Sequence, residues 1–142
     1  MYNRVGSYTG VKPIEELTAI ALALPFTPNS AGYEDTGGNT KLLHHHFSPW
    51  LGEPFIGEWE FAMVVKLPQL AQLPVHADEI VVPSTRYHLV LQTNPRAWYY
   101  HDGEWEQLET GGIYTLDPTL EHGAINWGVT PRVHLVVDIK ES

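Results

Sequence analysis

At 142 residues, 43% apolar and 18% charged, the chain has the length and composition of one globular unit, long enough to bury a single hydrophobic core. It contains no cysteine, which excludes disulfide scaffolds, thiolate zinc sites and a cysteine nucleophile. A formal charge of −9 argues against a nucleic-acid partner, because proteins that grip phosphate backbones present basic patches.

The N-terminal "MYNRVGSYTG" lacks the basic and apolar segments of a signal peptide. No apolar run approaches the ~18 residues of a spanning helix. The expectation is a soluble, cytoplasmic protein with no membrane partner. One segment then carries a helix signature, "VKPIEELTAIALALPF". Pro13 suits a first turn, Glu15 and Glu16 suit the positive end of the helix dipole, and Leu17, Ile20, Ala21 and Leu24 share one face before Pro25 stops it. Residues 27–50 open rich in Gly, Asn, Ser and Thr and read as a long loop, a candidate lid or substrate-contacting region together with its histidines and Trp50.

From about residue 54 the texture changes to short strands. Residues 57–67, 86–93, 97–105, 111–116, 122–127 and 132–139 combine β-branched and aromatic content, and turn signals such as Asn94-Pro95, Asp102-Gly103 and Asp117-Pro118 separate them. The pattern predicts one mainly β domain over residues 1–142, with a helix-and-loop region at 1–53 and a β core at 54–140. Strands this short and regular argue for a sandwich, jelly roll or barrel.

Eight histidines are too many for one site. The run His44-His45-His46 is conspicuous, but neighbours on a strand point to opposite faces, so at most two of the three could share an ion. A solvated or substrate-facing loop is the better reading. His76 and Asp78 differ, because residues i and i+2 of an extended segment point the same way and converge an imidazole with a carboxylate. That is two thirds of the facial triad that binds non-haem Fe(II), although surface strands also carry such pairs without any metal. His122 follows a turn and opens a strand, a reasonable third ligand. Arg132 begins a well-patterned strand, where an inward arginine calls for an anion; the alternative is a surface pair with one of the seventeen acidic residues. Arg86 and His88 share one strand face, which is either a cationic interior pair or a polar exterior. Asn126 and Trp127 stand in line to border a pocket, with the core as the commoner fate of a strand Trp. His134 reads as a satisfied interior residue and His101, beside a turn, as solvated. Trp50, Trp59, Trp98 and Trp105 read as core or rim.

Taken in order, "PVHAD", "RYHLVL", "HGAIN" and "RVHLVVD" resemble the motifs of the aspartyl/asparaginyl β-hydroxylase family and its relatives, over roughly residues 57–140. The resemblance implies a double-stranded β-helix, a cupin-like jelly roll with a short N-terminal helix here. It implies an Fe(II)- and 2-oxoglutarate-dependent dioxygenase that hydroxylates an amino-acid or peptide side chain, with O2 and a small-molecule or peptide substrate as partners. It further implies His76, Asp78 and His122 as catalytic iron ligands, Arg132 as the salt bridge to the co-substrate, and Arg86 and His88 as further grips on its carboxylates. Two other readings compete: a metal-binding cupin without oxygenase activity, and a structural jelly roll with incidental histidines. The arginines discriminate, since a plain cupin has no reason to place Arg132 and Arg86 inside.

Overall fold

The computed structural model describes residues 2–79 and 83–141. The strands are β1 (Asn3–Ser7), β2 (Thr27–Pro28), β3 (Glu34–Asp35), β4 (Trp59–Leu67), β5 (Gln72–His76), β6 (Ser84–Gln92), β7 (Ala97–His101), β8 (Glu104–Glu106), β9 (Gly112–Thr115), β10 (His122–Asn126) and β11 (Arg132–Lys140). They form a seven-stranded sheet, in the order β1-β9-β6-β11-β4-β3-β2, and a four-stranded sheet, β5-β10-β7-β8. The two sheets face each other around an inner core built from Leu67 and Val90 of the large sheet and Tyr99 and Ala124 of the small one. This is the mainly β jelly roll expected. Among the described residues no helix is long and apolar enough to cross a membrane.

Alternation explains the second core. On β11, Val133, Leu135, Val137 and Ile139 point away from the small sheet and are covered by two helices. The first, α1 (Ile14–Leu22), is the predicted one; Glu15 and Glu16 lie in its first turn and Leu17 and Ala21 are buried. Thr18 joins it to the sheet, its hydroxyl donating to the Leu91 carbonyl at 2.9 Å.

The second helix corrects the sequence reading. Residues 27–50 are not one long loop: α2 (Thr40–Phe47) carries all three consecutive histidines, and a 3-10 turn (Ser48–Trp50) follows it. Leu43 and Phe47, four apart, are both fully buried beneath it, and this i, i+4 pair is the helical signal that the histidine run obscures. His44 lies edge-on to Trp59 at 4.9 Å, and Trp50 receives the Lys12 ammonium 4.2 Å from its ring centroid. These groups stand on the helical side of the large sheet, so they do not form the lid. The same N-terminal region also supplies β1, β2 and β3, which extend the large sheet where only a helix and loop were expected. Strands of two residues are too short to show a period of two.

Candidate active site

The inner face of the large sheet is where the polar residues gather. Alternation turns Arg132, His134, Val136 and Asp138 of β11 inward, and Arg86, His88 and Val90 of β6 stand beside them, with Asp138 opposite Arg86, Val136 opposite His88 and His134 opposite Val90. Facing them across the interior, β5 and β10 place His76 directly opposite His122. The pairing shifts by one residue just past this point, and the β10 backbone presses so close to β5 that a Cβ on Gly123 would sit 2.7 Å from the Leu73 carbonyl oxygen. The glycine of "HGAIN" therefore lets the two strands approach closely enough to bring the two imidazoles together.

His76, Asp78 and His122 offer ligand atoms that all lie within 4.8 Å of one another, and among the described residues they are the one such group. The rings of His76 and His122 are 4.3 Å apart, and their Nε2 atoms stand 3.4 and 3.5 Å from the two Asp78 oxygens. Backbone carbonyls fix both tautomers. The Nδ1–H of His76 donates to the Pro74 carbonyl at 2.8 Å and that of His122 to the Leu120 carbonyl at 2.9 Å, which leaves both Nε2 lone pairs turned toward Asp78. Burial pushes the His122 pKa below its ordinary value, with a backbone contact and Asp78 opposing only in part, so this ring is neutral and able to ligate near pH 7. The donor set, two neutral imidazoles and one carboxylate with room beside them, fits a divalent transition metal.

Arg86 holds the third member of that set. Its Nη1 donates to Asp78 at 2.8 Å, while Nε and Nη2 grip both oxygens of Asp138 at 2.8 and 3.1 Å. Burial alone would lower the Arg86 pKa, but the two carboxylates outweigh it and raise it. Three of its five donors are thus spent on protein carboxylates, one of them the candidate ligand.

Arg132 has no such partner. It is 1% exposed, its Nε and Nη1 make no hydrogen bond, and its guanidinium carbon lies 5.0 Å from the Tyr99 ring centroid. A desolvated, unpaired cation is costly, which marks a place that an anion is meant to fill. The Nε2 of His88 is likewise buried and unbonded. Behind it runs a chain of hydrogen bonds: His88 Nδ1 to His134 Nδ1 at 3.0 Å, His134 Nε2 to the Tyr99 hydroxyl at 3.2 Å, and Tyr99 to Thr93 at 3.1 Å. Burial first, and the charge of Arg132 second, push both imidazoles well below their ordinary pKa, so both are neutral. One Nδ1 must then donate to the other. When His134 donates, His88 carries its proton on Nε2 and presents a donor to the cavity; when His88 donates, that nitrogen is a bare acceptor.

The metal-type cluster and these orphaned donors line one cavity of about 380 Å3, bounded also by Tyr2, Tyr33, Asp35, Phe61 and Met63. All six site residues expected from sequence border it: His76, Asp78, Arg86, His88, His122 and Arg132.

A family model described as aspartyl/asparaginyl beta-hydroxylase matches residues 51–142. The chain belongs to the aspartyl/asparaginyl β-hydroxylase family. An L-proline cis-4-hydroxylase of Rhizobium meliloti (strain 1021) is 32% identical over 82 residues, which cover 56% of this chain and 29% of that protein, so the match spans less than a third of the curated relative's length. Among solved structures, a cupin domain of Schizosaccharomyces pombe Cnp3 superposes with a TM-score of 0.56 at 12% identity, covering 84% of this chain and 71% of that one. A predicted oxalate decarboxylase from Thermotoga maritima gives 0.56 at 15% identity, over 85% and 96% of the two chains. At such identities these structures share the cupin fold with this family member and nothing more is drawn from them. All six expected site residues lie within the segment that the family model matches.

Several other expectations changed. His101 is buried, not solvated, with its Nε2 at 3.0 Å from the Asp117 carbonyl. Its position opposite His122 on β7, which a turn-adjacent reading does not capture, explains that burial. Asn126 does not border the cavity; it is fully buried, donating to the Leu67 and Thr130 carbonyls and accepting from Gly128 N–H, and so ties the turn that leads into Arg132. Trp127 is half exposed. Tyr33 and Asp35 fall in residues 27–50, the region expected to contact substrate, though neither was singled out, and Tyr2, which carries no local motif, was missed.

Proposed function

We propose that the chain is an Fe(II)- and 2-oxoglutarate-dependent dioxygenase that hydroxylates an amino-acid or peptide side chain. The observation that carries this reading is the buried, unpartnered guanidinium of Arg132 on the same cavity as His76, Asp78 and His122. A cupin that only binds metal has no use for a desolvated cation there. The relative's name supports a free amino acid as one form of substrate. Molecular oxygen completes the set of partners.

In this reading His76 and His122 bind the metal through Nε2, and Asp78 adds the carboxylate that offsets its charge. When bound, Fe(II) and 2-oxoglutarate supply the O2-dependent oxidation that converts a substrate C–H into C–OH. The protein's own work is placement. Arg86 clamps Asp78 against Asp138 so that the ligand oxygens keep their aim, and its field favours an anion nearby. Arg132 offers Nε–H and Nη1–H to a co-substrate carboxylate, a charge-assisted contact in a site shielded from water. The same anion selects the tautomer in which His134 donates to His88, because only then does His88 turn an N–H toward it.

Thermal unfolding with Mn(II), then with Mn(II) plus 2-oxoglutarate, tests the assignment. The expected result is stabilisation by metal and a further rise with 2-oxoglutarate, of about 2.7 kcal/mol at a hundredfold excess over Kd. His122→Ala removes the metal effect. Arg132→Met removes the 2-oxoglutarate increment and keeps the metal effect. A variant that matches the parent in either experiment overturns the role given to that residue, and succinate formation from 2-oxoglutarate with Fe(II) supplies the turnover readout.

A further inference from the structure

The cavity carries a second charge that the co-substrate does not answer. Asp35, on β3, stands in register with Val65 of β4, and both side chains border the cavity. One Asp35 oxygen accepts the Gly37 N–H at 2.8 Å. Among the described residues the other oxygen has no partner, and no Lys, Arg or His pairs with this carboxylate. Its neighbour Glu34 differs, being matched to Lys66 at 3.2 Å. The cations that border the cavity are otherwise committed: Arg86 to Asp138 and Asp78, and Arg132 to the co-substrate in the reading above. Tyr33, Phe61, Met63 and Glu79 line the same cavity as Asp35. A half-buried carboxylate on a cavity wall that also carries aromatic rings is an environment suited to an ammonium group, through a direct ion pair and through the negative faces of the rings. The same wall repels an anionic side chain.

We infer that the primary substrate is a small molecule bearing a protonated amine, with the Asp35 carboxylate as its specificity determinant and Phe61 and Met63 as the walls against its carbon frame. This rests on the oxygenase reading and sharpens it. The polarity of the cavity is then complementary throughout: a cation for the anionic co-substrate, an anion for the cationic substrate. Size agrees, because a cavity of about 380 Å3 is near the lower end of the ~300–1,000 Å3 of ordinary ligand sites and holds both molecules. Asp35 and Tyr33 lie before residue 51, where the family match begins, so this recognition belongs to the chain's own N-terminal segment.

The test is calorimetric titration of the Mn(II)- and 2-oxoglutarate-loaded protein, under exclusion of oxygen, with the free L-amino acids and simple four- to six-carbon amines, each beside its N-acetyl counterpart. The expected result is that the binding members carry a free amine and that acetylation weakens them by at least about tenfold. Asp35→Asn, which keeps the acceptor for Gly37, weakens the same compounds by about tenfold or more, while Asp35→Glu recovers part of the loss. Equal binding of acetylated or anionic members, indifference to Asp35→Asn, or no binding by any member overturns the inference. In all three results the stabilisation of the parent chain by Mn(II) and 2-oxoglutarate still stands and the oxygenase reading survives. Loss of that stabilisation in the parent overturns the oxygenase reading itself, and this inference with it.

Discussion

The two faces of β11 follow one alternating sequence and do opposite work. Outward, Val133, Leu135, Val137 and Ile139 are sealed under α1 and α2 in an apolar layer. Inward, Arg132, His134 and Asp138 are as well buried or nearly so, yet polar, and of these only Arg132 lacks a partner. The outer face holds the sheet to its helices. The inner face spends stability to keep a cation and two neutral imidazoles ready for a ligand. Burial as such therefore separates nothing in this molecule. What separates the faces is whether each buried group already has its partner.

Substitutions on the two faces should differ in sign. Leu135→Ala leaves a cavity beneath the helices and costs about 2–5 kcal/mol of folding free energy, read from urea denaturation of the metal-free protein. If that loss were below 1 kcal/mol, the outer layer would not be the close-packed core described here. Arg132→Met does the reverse in the ligand-free chain. It removes an uncompensated buried charge and raises stability by about 1–4 kcal/mol, even as it removes the 2-oxoglutarate effect. A drop in stability instead would mean that Arg132 is a structural cation.

Acidity probes the inner polar groups. His88 and His134 have folded pKa values well below their ordinary range, chiefly through burial. The unfolded chain therefore takes up protons below about pH 6.5 that the folded chain refuses. Their stabilising effect is complete above that pH and falls as the pH drops, by about 1.4 kcal/mol per unit for each ring. Replacing both with Gln should flatten this part of the profile of unfolding free energy against pH. An unchanged slope would mean that the rings are already charged in the fold. The smallest effect belongs to the exposed histidines of α2. His45→Gln is expected to move stability by no more than about 0.5 kcal/mol and to leave Mn(II) affinity, followed by calorimetry, where it was. A clear loss of affinity would restore the histidine run as a site.

Local pattern made much of this legible. Period-two alternation in "RVHLVVDI" and "RYHLVLQ" showed which residues share a face but left open which face is inner, and the i, i+2 spacing of His76 and Asp78 put both at one point of the cavity. Arg86 was less legible. Its face could be read, but its binding to Asp138 depends on the β6–β11 register, across 52 residues of sequence. His101 and Asn126 were misread for a similar reason, since strand pairing and long-range carbonyls, not their immediate neighbours, decide their surroundings. α2 was hidden because a helix of eight residues buries only Leu43 and Phe47, a single i, i+4 pair masked by the histidines between them.

By itself, the sequence determined the fold class, which residues share a face on β6 and β11, and the ordered set of His, Asp and Arg residues that marks the family. Those properties are written in spacing, because a strand's side chains alternate whatever lies across from them. Only the tertiary structure decided which charges would be satisfied. Arg86 and Arg132 look alike in the sequence, each opening an alternating run. In the folded chain one finds Asp138 and Asp78, and the other faces the cavity with no carboxylate paired to it among the described residues. Pairing depends on which strands lie side by side and in what register, and that is settled only when the two sheets close on each other.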